Sequence, residues 1–175
     1  MNVLRETGSE LNEIKEKYKN VETIDAKDKL VIPGGVDAGV KFDYFEGNHD
    51  IESSDNFFTG SVGAVFGGTI TILDVIEPNL NERETFNEAL KSKLDEAEQN
   101  SVTYYSFHMV INNIKNDILS IEKFIKKAIY KNGINSFRFD TYTKKPKLSK
   151  DEMYEIFRLL KKYGGLAVVN CGDEI

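Results

Sequence analysis

The chain has 175 residues, of which 40% are hydrophobic and 30% charged, so it can bury one sizeable core and is too apolar for a disordered polymer. Its net charge of −6 argues against a nucleic-acid partner, which calls for a basic face. No apolar run approaches a bilayer span, the polar start lacks a signal-peptide core, and the lone Cys171 excludes a disulfide framework or a cysteine zinc site, so a cytoplasmic location away from membranes is expected.

Residues 1–21 are polar, with Leu11, Ile14 and Tyr18 at the spacing of a short helix over 11–18. Residues 30–43 read LVIPGGVDAGVKFD. Pro33-Gly34-Gly35 forces a turn or bulge, after which Val36, Ala38, Val40 and Phe42 alternate with Asp37, Gly39, Lys41 and Asp43. Period-two alternation predicts a strand whose second set shares one face. A polar loop over 44–54 follows, and 53–55 offers caps for a helix running to about Phe66, closed by Gly67-Gly68.

Residues 69–75 (TITILDV) read as a strand buried on both faces, ended by Pro78. A helix over 82–98 follows, with Phe86, Ala89, Leu90, Leu94 and Ala97 on one side. The next strand covers 102–111, and a helix over 114–130 carries Ile114, Ile118, Ile121, Ile125 and Ala128 before its stop at Gly133. Residues 134–142 form a fourth strand. Ser149 and Glu152 make a capping box for a helix to about Tyr163, which buries Met153, Ile156, Phe157 and Leu160. Gly164-Gly165 closes it, and 166–170 is a fifth strand. Strands alternating with amphipathic helices imply βα units around a parallel sheet. Periodicity leaves a barrel and an open doubly wound sheet equally available.

Five stretches carry a family likeness: VIPGGVDAGVKF (31–42), DNFFTGSVGAVFGGTITILD (55–74), YYSFH (104–108), GINSFRF (133–139) and GGLAVVN (164–170). In order and interval they resemble VIPGG-[IV]-D-x-H-x-H-F, DDFYTGTxAAVAGGTTxIID, DYSLH, GVNSFKMF and GAIAQVH. These are patterns of the dihydropyrimidinase/hydantoinase branch of the cyclic amidohydrolases, to which the collapsin response mediator proteins also belong. The resemblance implies an α/β fold, a truncated (β/α)8 TIM barrel with about five parallel strands. It also implies that 1–29 is the remnant of a small β domain and linker, and that 30–175 is the partial barrel. A whole barrel takes about 250 residues, so strands one and five are expected to expose open edges. Such edges invite self-association or a partner chain.

The same resemblance implies a changed site. Active members hold two zinc ions with two strand-one histidines, a carboxylated lysine on strand four, later histidines and an aspartate. At the four ligand positions this chain reaches stand Gly39, Lys41, Arg138 and Asn170. Glycine has no donor atom, an ammonium and a guanidinium repel a cation, and an amide oxygen is a weak ligand. No metal or other cofactor and no catalytic residue are therefore assigned. The family's substrate-contacting tyrosine lies five residues beyond the carboxylated lysine. Here Tyr142 is four beyond Arg138, with Thr143 at the fifth place, and the substrate-binding role is carried to Tyr142.

Asp37, Lys41, Arg138 and Asp140 could form a salt-bridged cluster in place of the metals. The plain alternative is that all four are solvated, where ion pairs are worth about 0–1 kcal/mol. The expected function is that of an inactive dihydropyrimidinase-like scaffold, subunit or remnant, similar in this respect to the collapsin response mediator proteins. The alternative is a metal-dependent hydrolase of cyclic amide C–N bonds, opening dihydropyrimidine or hydantoin rings, completed by a partner chain.

Other residues read more plainly. His49 is a solvated loop histidine beside Glu46, Asp50 and Glu52, and His108 is a buried, hydrogen-bonded strand histidine. Gly60, Gly63, Gly67 and Gly68 precede a strand, whereas a dinucleotide fingerprint follows one, so they read as tight helix packing and a helix stop. Lys144, Lys145 and Lys147 form a solvated basic loop. Cys171 sits at the end of strand five with no histidine near it in sequence to activate it.

Overall fold

The structure is a computed structural model and describes residues 10–18, 22, 24–43, 53–77, 86–111, 118–140 and 148–171. The chain divides into two units, Met1–Pro33 and Gly34–Ile175. The first contains α1 (Glu10–Lys17), which meets the helix expected over 11–18, and a turn in which the Lys29 amide donates to Ala26 O. Asp28 takes φ +61 in that turn, a backbone region that aspartate tolerates better than most residues.

The second unit alternates strand and helix throughout. Its elements are β1 (Gly35–Asp37), α2 (Phe57–Phe66), β2 (Thr69–Ile76), α3 (Phe86–Asn100), β3 (Tyr104–Val110), α4 (Ile118–Asn132), β4 (Ser136–Asp140), α5 (Lys150–Tyr163) and β5 (Leu166–Asn170). All four strand pairings are parallel, and the order in the sheet is β1-β2-β3-β4-β5. Each crossover therefore steps one strand in the same direction. A doubly wound sheet reverses its strand order midway, so strand order settles what periodicity left open. The strands form a curled half-barrel, as a truncated (β/α)8 barrel requires.

Alternation along the strands sorts the side chains onto two faces. Ile72, Ile76, Phe107, Met109, Phe137 and Phe139 face the helices and join Phe57, Leu90, Ile125, Ile156 and Leu160 in one core. Edge-to-face rings tie the layers: Phe124 lies 6.4 Å from Phe137, and Phe157 lies 5.3 Å from Phe139. The other set includes Val75, His108, Val110, Ser136, Arg138 and Asp140, in register across β2, β3 and β4.

Helix ends follow local chemistry. The Ser149–Glu152 capping box forms as expected, and Gly164 closes α5 at φ +77, where a side chain would be strained. At α2 the cap is Asn56, one residue past the expected 53–55: its side chain accepts the Thr59 amide while the Thr59 hydroxyl accepts its own. Gly60 is required by close approach, since a Cβ there would run into the Phe42 ring. Gly63 has open space around it, so packing does not explain it.

Several expectations need correction. β1 is only three residues long, and the alternation beyond it does not continue as strand. The reason is local: Asp37 Oδ1 accepts the Gly39 amide at 3.0 Å, bending the chain into a side-chain-closed turn. Of the apolar set, Val36 and Ala38 are exposed, Val40 is half-buried and only Phe42 is buried. β2 is not buried on both faces throughout, because Ile70 in its first half is exposed beside the short β1. Leu94 and Ile118 are exposed rather than core, while Met153 and Phe157 are half-buried. Pro78, Ile114, residues 82–85 and the end of the expected fourth strand lie outside the described residues.

Candidate functional site

The described positions singled out by sequence lie at the end of β1, on the segment 38–43 that follows it, and on β4 and β5. Arg138 and Asp140, two residues apart on β4, share a face as strand alternation requires. Arg138 Nε and Asp140 Oδ1 are 3.2 Å apart, with the side chains 14% and 8% exposed. This is a nearly buried ion pair. Asn170 pairs with Asp140 in register, and Val168 pairs with Arg138, so β5 adds its amide to the same face. Asp37 ends β1 and is turned to the Gly39 amide. The structure thus joins Arg138 to Asp140 directly. Tyr142, His49, Lys144, Lys145 and Lys147 lie outside the described residues.

The segment 38–43, which carries Gly39 and Lys41, is pinned at four points. His108 is 3% exposed, and its Nε2 lies 2.9 Å from Ala38 O. A carbonyl only accepts, so Nε2 donates to it, and Nδ1 lies 2.6 Å from Ser136 Oγ. His108 is thus the buried, hydrogen-bonded histidine expected. Further along, the Val40 amide donates to Leu73 O at 3.3 Å, and the Phe42 amide donates to Asp74 Oδ1 at 3.3 Å. Finally, Lys93 Nζ donates to Phe42 O at 3.0 Å, and the Asp43 amide donates to Asp55 O at 3.1 Å.

Sequence reasoning missed Asp74, Lys93 and Ser136. Asp74 had a legible signal, a lone carboxylate within the apolar strand TITILDVI, since charged residues are rarely buried unpaired. It is 1% exposed, and Lys93 Nζ lies 3.4 Å from its Oδ2. Burial pushes its carboxyl above the usual range, with Lys93 and the Val75 and Phe42 amides pulling the other way. Cys171 is exposed, its thiol directed at Val169 O at 3.9 Å.

Gly39, Lys41, Arg138 and Asn170 offer no imidazole, carboxylate or thiolate to a two-zinc centre. Among the described residues no group of three or more His, Cys, Asp or Glu side chains could hold a metal ion. The guanidinium of Arg138, the residue that the resemblance aligns with a carboxylated lysine, is engaged by Asp140. Among the described residues, no helix is long and apolar enough to cross a membrane.

No family model matches the sequence. Individual relatives do. The chain is 32% identical over 157 residues to a D-hydantoinase of Geobacillus stearothermophilus, covering 88% of this chain and 32% of that protein. It is 31% identical over 172 residues to a dihydropyrimidinase of Dictyostelium discoideum, covering 93% and 33%. Among solved structures, D-hydantoinase from Bacillus sp. AR9 superposes with a TM-score of 0.75 at 27% identity, over 86% of this chain and 32% of that one. Dihydropyrimidinase from Brevibacillus agri gives 0.69 at 25%, over 85% and 32%. The chain spans about a third of the length of the curated relatives it matches. Over most of its residues this chain is therefore dihydropyrimidinase-like, a partial counterpart of the hydantoinases and dihydropyrimidinases.

Proposed function

We propose that the chain is a catalytically inactive dihydropyrimidinase-like protein that works by association, as a scaffold or subunit, in the cytoplasm. The observation that supports this reading is the Arg138–Asp140 ion pair, on the residue that the sequence resemblance aligns with the bridging metal ligand. A guanidinium neither forms a carbamate nor loses its proton at ordinary pH. Gly39, Lys41 and Asn170 add no strong donor. Association is supported by the sheet itself. Among the described residues β1 and β5 are its end strands, and Val36 of β1 and Leu166 of β5 are 66% and 61% exposed. Open strand edges flanked by apolar side chains favour pairing with another chain.

Three measurements on the purified chain test the proposal: zinc content, ring opening of hydantoin and dihydrouracil, and mass in solution. The expected result is no stoichiometric zinc, no turnover and a defined oligomer. Two zinc ions per chain with turnover would establish the alternative, a cyclic-amide hydrolase completed by association. A well-behaved monomer would remove the associative role.

A further inference from the structure

The α2 helix is built inside out. Its sequence, FFTGSVGAVF, holds no charged side chain. Its two hydroxyls are both engaged within the fold. Thr59 completes the Asn56 cap. Ser61 is fully buried, donating to Phe58 O at 3.2 Å and accepting the Val102 amide at 3.1 Å. The outer side carries Phe58, Val62 and Phe66, spaced four residues apart along one stripe, with Val65 beside them. Phe58, Val65 and Phe66 are 54%, 46% and 89% exposed. A surface helix ordinarily turns charged and polar residues to water, and one that is apolar all round is ordinarily buried. Gly63 borders the same stripe. It reads in sequence as a site of tight packing, yet a Cβ there would meet nothing within 4 Å.

We propose that a second copy of this chain covers this face, with α2 packed antiparallel on its counterpart about a two-fold axis through Val62. This deepens the associative reading above, on which it rests, by naming the partner and the surface. The stripe is complementary to itself: antiparallel pairing centred on Val62 sets Phe58 of each copy against Phe66 of the other. A two-fold interface demands such reciprocal contacts. Gly63, next to the crossing point, lets the two backbones approach closely, which accounts for a mid-helix glycine that the single chain does not use. No charge on either copy has to be stripped of water. The area agrees as well. Each partner in a stable interface buries about 800 Å², a little over half of it apolar. At about 200 Å² per phenylalanine, the exposed parts of Phe58 and Phe66 supply roughly 300 Å² of that. At ten residues the helix is too short to cross a bilayer, which takes about 20.

Sedimentation equilibrium on the full chain, on Phe66→Lys and on Gly63→Leu tests this, with urea unfolding as the control for folding. Both positions are open to solvent. A lysine suits the last turn of a helix, and leucine is a better helix former than glycine, so neither change should lower the urea midpoint of the monomer. The wild-type chain should be a dimer and Phe66→Lys a monomer. Gly63→Leu overfills the crossing point in both copies and should raise the dissociation constant about tenfold or more. An oligomer that neither change weakens overturns this interface and leaves the associative role standing. A wild-type monomer at every concentration reached removes both. A lower urea midpoint in Phe66→Lys with no change in mass would mean that a segment of the same chain covers α2, and it overturns the proposal too.

Discussion

Replacing Arg138 with methionine tests the charge-replacement reading most directly. Arg138→Met keeps the apolar stem and removes the guanidinium from Asp140, whose side chain is only 8% exposed. Removing one partner of a fully buried pair costs about 3–5 kcal/mol, because the remaining charge is left uncompensated. Arg138 keeps 14% of its surface, and water there screens part of the loss. A cost of about 2–4 kcal/mol follows. The double variant Arg138→Met with Asp140→Asn removes both charges and should recover much of this, giving a coupling energy of about 1–3 kcal/mol. Urea unfolding of wild type, both single variants and the double variant at pH 7 gives the whole cycle from their midpoints. An Arg138→Met midpoint equivalent to less than about 0.5 kcal/mol of destabilisation would show that the pair is solvated. The centre would then not be a structural replacement for a metal site.

Other outcomes follow from the same geometry. Lys93→Met strands the buried Asp74 and should destabilise the fold by about 2–4 kcal/mol. The loss should be larger at high pH, because an Asp74 carboxyl without its lysine takes up a proton more readily as pH falls; adding Asp74→Asn should restore most of it. Gly60→Ala drives a methyl into the Phe42 ring and should cost about 1–3 kcal/mol in thermal or urea unfolding. Glu122 accepts the Tyr163 hydroxyl and pairs with Lys162 at 3.1 Å, which with Lys126 draws its carboxyl down to about 2. A depressed carboxyl stabilises above its ordinary range and loses that contribution as pH falls from about 4.5 towards 2. Glu122→Gln should therefore flatten this stretch of the melting-temperature profile, and an unchanged acid limb would contradict the assignment.

Glu96 acts in the opposite sense. Its carboxyl, raised to about 7 by burial, favours the folded state fully below the ordinary glutamate range, and that contribution declines between about 4.5 and 7. Stability of the wild-type chain over that interval should fall as pH rises, and Glu96→Gln should remove the slope. The two glutamates thus mark separate pH windows, one for the α4–α5 contact and one for the Lys93–Glu96 pair on α3.

Much of this molecule was legible before folding was considered. The Ser149–Glu152 box, the stop at Gly164 and the periods of α3, α4 and α5 are local signals. Each depends on residues within a turn or two, where capping and burial follow from spacing. That Gly39, Lys41, Arg138 and Asn170 are not strong metal donors is likewise a property of side-chain chemistry. Even the Arg138–Asp140 contact is local, since strand alternation sets residues two apart side by side. Only the tertiary structure could decide the strand order, the early end of β1 and the anchoring of 38–43. Ala38 meets His108 across 70 residues, and Phe42 meets Lys93 across 51. Spacing along the chain carries no signal at such separations, because these contacts exist only once the βα units have stacked in one direction and brought distant residues within hydrogen-bonding range.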